Sequence, residues 1–381
     1  MCGGIECGDV EKNISILNSP SLNIFIWSIR MEGYLRGYYW YKNFGDELLF
    51  FGIVKQLFSK YPLTKLFVEV ENTSWMEDRV WENYQGLLTE KQLKSLKFIN
   101  ARQHKYKIIT HVIHFLGRGK YKKIFKFFGW WEVLSDERTF PHDGRNIPLL
   151  FNYSVRTGKF ALLGGIGKIS TPWTEKLYRY LLPKAEKIIV RDRESYTIAK
   201  EIGARGKGQW QRDIDNNVVL YQDFAQEIIL RNKEQEEIGE RDSLEGKDKF
   251  GSNLSTPSNS QVSSPYILIN INRQSVNLEN IKKIVDFCNQ YPDHKKIYFP
   301  CDMNDDKNCF YNIKKYISGL EMYDRTKYSL SHSLSLFYNA TGGIGARLHF
   351  LLPLKLYEKP IVAIPYADKI NKLIIDSKAK I

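Results

Sequence analysis

The chain has 381 residues, 43% of them hydrophobic, and its 56 basic residues against 43 acidic ones leave a net charge of +13. Such a length suits two domains of roughly 100–200 residues each, and the apolar fraction excludes wholesale disorder. The positive excess points to an anionic partner: a nucleic acid, a membrane surface or a phosphorylated substrate.

Five cysteines stand at 2, 7, 288, 301 and 309. Their number is odd and no CxxC occurs, so neither a disulfide framework nor a structural zinc site is expected. The opening MCGGIECGDVEKNISILNSP lacks a basic stretch followed by a long apolar one, so no signal peptide is expected. No run approaches the roughly 18 apolar residues of a membrane span. A chain of the reducing cytoplasm is the simplest expectation.

In chain order, residues 1–21 form a tail and LNIFIWSI (22–29) a buried strand. An irregular stretch leads to NFGDELLFFGIVKQLFSKY (43–61), a helix with a broad apolar face. LFVEV (66–70) is a strand, KFALLGGIGK (159–168) a strand ending in glycines, and TPWTEKLYRYLL the helix after it. KIIVRDRESYTIAKEIGA (187–204) repeats strand, polar turn and helix. Residues 231–265, charged and then rich in Ser and Asn, have too few apolar groups to fold and are expected to be a flexible linker. A second series follows: YILININR, NLENIKKIVDFCNQY, KIYFP, a helix around 306–317, SLSLFYNA, TGGIG, a helix from RLHF and PIVAIPY. This alternation predicts an α/β protein of two Rossmann-like domains, 22–230 and 266–381, facing across a cleft.

Four segments carry polar groups where such sheets hold ligands. Asn43, Gly45 and Asp46 in YYWYKNFGDE (38–47) mark a loop entering a helix. They are either an N-cap or a cleft lining with Asp46 as a base. Gly164 and Gly165 in ALLGGIG make a tight turn or let backbone N–H groups approach an anion. Arg191 follows three β-branched residues, so it stands at a strand's carboxyl end with Asp192 and Ser195 able to cap the next helix. A surface ion pair and a two-pronged grip on phosphate or carboxylate are both open there. In TGGIGARLHFLLPLKL the glycines let the chain turn into a helix whose free N–H groups favour anions. Arg347 adds a fixed charge and His349 a group that titrates near neutrality. Lys369 adds a cation at the same rim or is an ordinary surface lysine.

These segments, in this order, resemble the polysaccharide pyruvyl transferase family from about residue 35 to 372. RLH with K-x-P and Y-x-x-K is the most specific part. The resemblance implies a GT-B-like fold and transfer of the three-carbon unit of phosphoenolpyruvate to a sugar of a cell-surface glycan. The products are a cyclic pyruvate ketal and phosphate. It carries over Arg191, Arg347 and Lys369 around the donor and an essential His349. Beside it, the residues themselves add Leu348, Gly164 and Gly165 around the donor and set Arg191 and Asp46 as catalytic partners of His349. Asn43, Gly45 and Arg273 fall on the acceptor side or the loops. Trp40 and Lys42 stand where the family's first loop has glycines, and Ile166 replaces the third glycine of GGG.

No cofactor is expected beyond phosphoenolpyruvate as co-substrate, and no metal. The partners expected are that donor and a sugar or lipid-linked oligosaccharide. The basic, aromatic stretch 102–131 is either a solvated face with its aromatics in the core or a peripheral membrane contact. Nucleic acid is not expected, since no known module is present. Two rivals stand beside the transferase: a GT-B glycosyltransferase using a nucleotide-sugar, and a non-catalytic glycan-binding relative.

Overall fold

Two runs of alternating strand and helix build two parallel sheets. The computed structural model describes residues 31–37, 42–70, 72–83, 88–100, 125–134, 160–167, 169, 171–204, 217–221, 223–244 and 264–364. The expected tail and the strand at 22–29 lie outside them. The first run contains β1 (Met31–Arg36), α1 (Phe44–Lys60), β2 (Leu63–Val70), α2 (Thr73–Asn83), α3 (Glu90–Ser95), β3 (Leu96–Asn100) and β4 (Phe125–Leu134). It continues with β5 (Phe160–Ile166), α4 (Pro172–Leu181), β6 (Lys187–Val190), α5 (Arg193–Ala204), β7 (Val218–Leu220) and α6 (Phe224–Leu244). The second run begins with β8 (Tyr266–Asn270), α7 (Leu278–Asn289), β9 (Lys295–Tyr298), α8 (Asp306–Lys314) and β10 (Leu320–Met322). It ends with α9 (Leu330–Tyr338), β11 (Gly342–Gly345), α10 (Leu348–Leu356) and β12 (Ile361–Ala363).

The strand orders are β3-β2-β1-β4-β5-β6-β7 and β10-β9-β8-β11-β12. Every pairing is parallel. Each order reverses direction once, between β1 and β4 and between β8 and β11. In doubly wound sheets the carboxyl edge at that reversal is where ligands bind.

Helix α1 is apolar almost all round because it is covered almost all round. Leu48, Phe51 and Val54 share one core with Leu35, Val68 and Phe127 of the first sheet and with Leu334, Phe337 and Phe350 of α9 and α10. Phe44, its first residue, stacks on Phe337 with ring centroids 5.6 Å apart.

Three expectations are corrected. The stretch before α1, expected to be irregular, holds β1 at the reversal point of its sheet. This strand tolerates charge because its neighbour answers it: Tyr34 donates to Glu69 (3.0 Å), Arg36 lies 3.5 Å from Glu69, and Lys65 lies 3.5 Å from Glu32. The linker expected at 231–265 is helical as far as Leu244, within α6. Its charged face docks on the second half: Lys233 bonds the Leu356 carbonyl and Glu358, and Glu236 and Glu240 accept from Ser335 and Tyr338. The TGGIG glycines, expected to form a turn, are themselves strand β11. Within 102–131, residues 125–131 belong to β4, with Phe125, Phe127 and Phe128 buried. Residues 102–124 lie outside the described residues. Among the described residues no helix is long and apolar enough to cross a membrane.

Candidate active site

The reversal point of the second sheet is braced by one buried carboxylate. Asn270, at the end of β8, pairs with Gly345 at the end of β11. Its Nδ2 donates to the Phe299 carbonyl (2.9 Å) and to Asp306 (3.3 Å), and its Oδ1 accepts from the Arg347 N–H (3.2 Å). Arg347 Nε donates to both oxygens of Asp306 (3.0 and 3.1 Å), and its Nη2 donates to Asp306 and Asp305. Asp306 also accepts from the N–H groups of Cys301 and Asp302. Burial pushes the Asp306 carboxyl up, against the pull of Arg347. Burial also works against the Arg347 charge, but Asp306 outweighs it and holds the guanidinium above its ordinary value. Arg347 is thus largely engaged in holding its own loop, and Nη1 is its remaining donor. Removing one partner of such a pair typically costs about 3–5 kcal/mol.

The glycines of β11 serve close packing rather than turning. A Cβ at Gly345 would stand 2.4 Å from Phe350 Cδ1, and one at Gly343 2.5 Å from Leu354 Cδ1. Their absence lets α10 lie directly on the strand. No side chain caps α10, which leaves the Leu348 N–H at its open end. Pro353 lies inside this helix and has no N–H for the carbonyl four residues back, that of His349.

Against this turn comes the reversal point of the first sheet. Lys42 adopts φ 63°, the left-handed region in which the family pattern's glycine would be at ease. Its carbonyl accepts from the Met303 N–H (3.3 Å), and the Phe44 N–H donates to the Cys301 carbonyl (2.7 Å). Asn43 caps α1 by accepting the Asp46 N–H (3.2 Å), and its Nδ2 reaches Asp302 (3.5 Å). Gly45 then meets the imidazole: a Cβ there would fall 2.1 Å from His349 Nδ1. His349 is half-buried and Asp46 buried, one residue beyond the contact. Asn43, Gly45, Asp46 and His349, some 300 residues apart in sequence, are therefore brought together.

Sequence reasoning missed the next residue, Glu47. It is 1% exposed and accepts from Arg325 Nη1 (2.8 Å), itself 1% exposed, with Arg79 Nη2 at 3.4 Å. The available signal was a second carboxylate at the head of a helix otherwise apolar as far as Val54. A charge there must have a buried partner.

The third group sits at the tips of β5 and β6. Gly164 (φ 146°) pairs with Val190, so Gly165 and Arg191 follow side by side. Asp192 caps α5 through the Ser195 N–H (2.7 Å). Ser195 Oγ instead reaches back to β5, accepting from the Ile166 N–H (2.8 Å) and donating to its carbonyl (3.3 Å). Arg191 Nε bonds Asp192 (3.1 Å), and Nη1 lies 3.8 Å from Asp223. Burial pushes the Asp223 carboxyl up, and the Arg191 charge opposes it. Arg273 is exposed in the 3-10 turn Arg273–Ser275 beyond β8. Lys369 lies outside the described residues. Among the described residues no group of three or more His, Cys, Asp or Glu side chains can hold a metal ion. The thiols of Cys288, Cys301 and Cys309 are buried, and burial pushes those of Cys288 and Cys309 up to about 11.

Solved structures with the same two-sheet arrangement share little sequence with this chain. UDP-GlcNAc 2-epimerase from Neisseria meningitidis bound to UDP-GlcNAc has 10% identity and a TM-score of 0.54, with 89% of this chain and 83% of that one covered. The S. aureus MnaA–UDP co-structure has 10% identity and a TM-score of 0.53, over 88% and 79%. UDP-N-acetylglucosamine 2-epimerase from Rickettsia bellii has 10% identity and a TM-score of 0.51, over 87% and 78%. At such identity the likeness is of fold alone, a GT-B-like pair of Rossmann-like domains. No curated protein matches the chain. The sequence profile of polysaccharide pyruvyl transferase, however, matches residues 43–368. The match takes in the Asn43 loop, the glycine-tipped β5, the Arg191 turn and the His349 helix, and the chain belongs to the polysaccharide pyruvyl transferase family.

Proposed function

We propose that this chain moves the pyruvyl unit of phosphoenolpyruvate onto two hydroxyls of a glycan sugar, forming a cyclic ketal and releasing phosphate. The observation that carries the reading is the seating of His349 against Gly45, which sets an imidazole between the carboxyl edges of both sheets.

Phosphoenolpyruvate carries a carboxylate and a phosphate on three carbons, and needs several cations and N–H donors around it. Arg191 at the tip of β6, the Leu348 N–H and Arg347 Nη1 offer these, with Gly164 and Gly165 allowing close approach and Lys369 a further cation. Protonation of the methylene carbon gives an oxocarbenium-like centre, which one sugar hydroxyl attacks. Phosphate leaves and the second hydroxyl closes the ring. Of the two hydroxyl protons, one ends on the new methyl carbon and the other departs with phosphate. An imidazole suits one of these transfers, which is assigned to His349, and Asp46 serves the other. Arg273, Asn43 and Gly45 border the acceptor side. The acceptor class is a sugar or lipid-linked oligosaccharide, the location cytoplasmic, and 102–124 a segment for peripheral membrane contact.

Incubation with phosphoenolpyruvate and a panel of galactosides, mannosides and N-acetylhexosamines, read by mass spectrometry, is expected to show an added pyruvate on one of them. His349→Ala is expected to abolish this and leave folding intact; near-normal turnover in that variant defeats the assignment. The nucleotide-sugar rival draws on the shared fold, since two of the similar structures hold UDP-GlcNAc or UDP. Thermal stabilisation by UDP or GDP sugars and none by phosphoenolpyruvate would favour it. Donor binding without phosphate release on any acceptor would favour a glycan-binding relative.

A further inference from the structure

We infer that Glu47 is a positioning residue for His349, acting through a buried charge cluster that fixes the first turn of α1 between the two halves of the molecule. The inference rests on the reading of His349 as the proton-handling group.

Glu47 comes from α1, Arg79 from α2, and Arg325 from the 3-10 turn Arg325–Lys327 beyond β10. All three side chains are at least 97% buried. One carboxylate thus faces two guanidiniums inside the protein. The arginines find partial shelter elsewhere: Arg325 lies over the Phe44 ring (5.8 Å) and Arg79 over the Trp75 ring (5.5 Å), with Arg79 Nη1 on the Tyr328 carbonyl. Even so, Glu47 Oε1 and the Nε and Nη2 of Arg325 are buried without a hydrogen-bond partner. A cluster satisfied this poorly is a weak source of stability, and apolar residues of similar volume would often do as well. Its use is registry.

Successive helical residues are about 100° apart, so Glu47 and Gly45 lie on nearly opposite sides of α1. On one side Arg325 and Arg79 grip the carboxylate. On the other, the helix has no side chain and touches the imidazole. The backbone bonds from Lys42 and Phe44 to Met303 and Cys301 fix the same turn along its axis. Meanwhile the first turn of α10 lacks the bond that Pro353 would otherwise give to the His349 carbonyl. The imidazole rests directly against α1, and Glu47 helps to fix the rotation of that helix. Loosening the cluster would move the wall that His349 rests on without touching any ligand.

The test is NMR titration of the imidazole Cε1–H signals in full-length protein, with His294 in the turn before β9 as an internal control. In Glu47→Gln the His349 midpoint is expected to shift by about half a pH unit or more, with His294 unmoved. In the same variant kcat with phosphoenolpyruvate is expected to fall about tenfold or more, with KM for that donor within about twofold. If Glu47→Gln does not fold, the double variant Glu47→Met/Arg325→Met replaces the charges with apolar volume and is read in the same way. A folded variant whose His349 curve overlays the wild type overturns the inference. The titration does not depend on the reaction: a protein that never consumes phosphoenolpyruvate would sink the functional reading and leave this one decided by the midpoint alone.

Discussion

Gly45 carries no side chain because an imidazole fills the place where one would stand. On helix propensity alone, Gly45→Ala would stabilise α1 by about 1 kcal/mol. A Cβ at 2.1 Å from Nδ1 must instead push His349 aside, and overpacking of this kind costs about 1–3 kcal/mol. Propensity offsets only part of that cost, leaving a loss of up to about 2 kcal/mol in stability, and it offsets nothing in catalysis. Gly45→Ala is expected to unfold at somewhat lower urea than the wild type and to lose about 100-fold in kcat, the scale of a 1 Å misplacement; unchanged turnover would show that the imidazole needs no fixed seat. Lys42 makes a complementary case three residues earlier. At φ 63° a β-branched side chain is strained by about 1–2 kcal/mol. Lys42→Val should therefore unfold at lower urea than Lys42→Gly, although both lose the same amine. Equal midpoints would mean that the backbone there is not held in the left-handed region.

At the scale of elements, Ser195 shows how one helix sets the tip of a strand in front of it. Its hydroxyl holds both the N–H and the carbonyl of Ile166, just beyond Gly164 and Gly165. Ser195→Ala leaves those backbone groups unpaired in a buried place, at about 1–3 kcal/mol. The expected result is a matching loss in urea denaturation and a raised KM for phosphoenolpyruvate, since the glycine tip beside Arg191 is no longer held. A loss of stability with KM unchanged would confine Ser195 to the fold. Asp192, two residues beyond the end of β6, was legible as a cap because Asp before a helix has few other uses; the longer reach of Ser195 to β5 was not. Other elements divide in the same way. Strands β5, β6 and β8 announce themselves as apolar runs bounded by turn residues. Strand β1 hides because the charges of Glu32 and Arg36 and the hydroxyl of Tyr34 are answered from β2, about 30 residues on, and β11 hides because glycine has no propensity to show. Helix α6 looks too polar to fold until the surface it docks on, from Ser335 to Glu358, is known.

At the scale of the whole molecule, the two halves are joined by their core as well as by the cleft. The sequence pattern places Arg191 at a strand's carboxyl end and Asn43 and His349 at the starts of helices, because alternation of strand and helix implies where those ends point. It carries no sign that Glu47 and Arg325 meet, since nothing local links residues 278 positions apart. Nor does it show that α1 belongs to both halves. That sharing has a thermodynamic consequence. Leu163 of β5, Phe51 of α1 and Phe337 of α9 lie in one apolar cluster, so losing either half exposes the other's contacts with α1. Unfolding is expected as a single calorimetric transition with a calorimetric to van't Hoff enthalpy ratio near about 1. Phe337→Ala, which opens a cavity worth about 3–5 kcal/mol in the second half, provides the sharper measurement. Amide exchange at Leu162 and Leu163 in β5 should quicken by the same factor as at Leu268 and Ile269 in β8. If β8 loses protection while β5 keeps its own, the halves open separately, and α1 is a hinge between them rather than their common core.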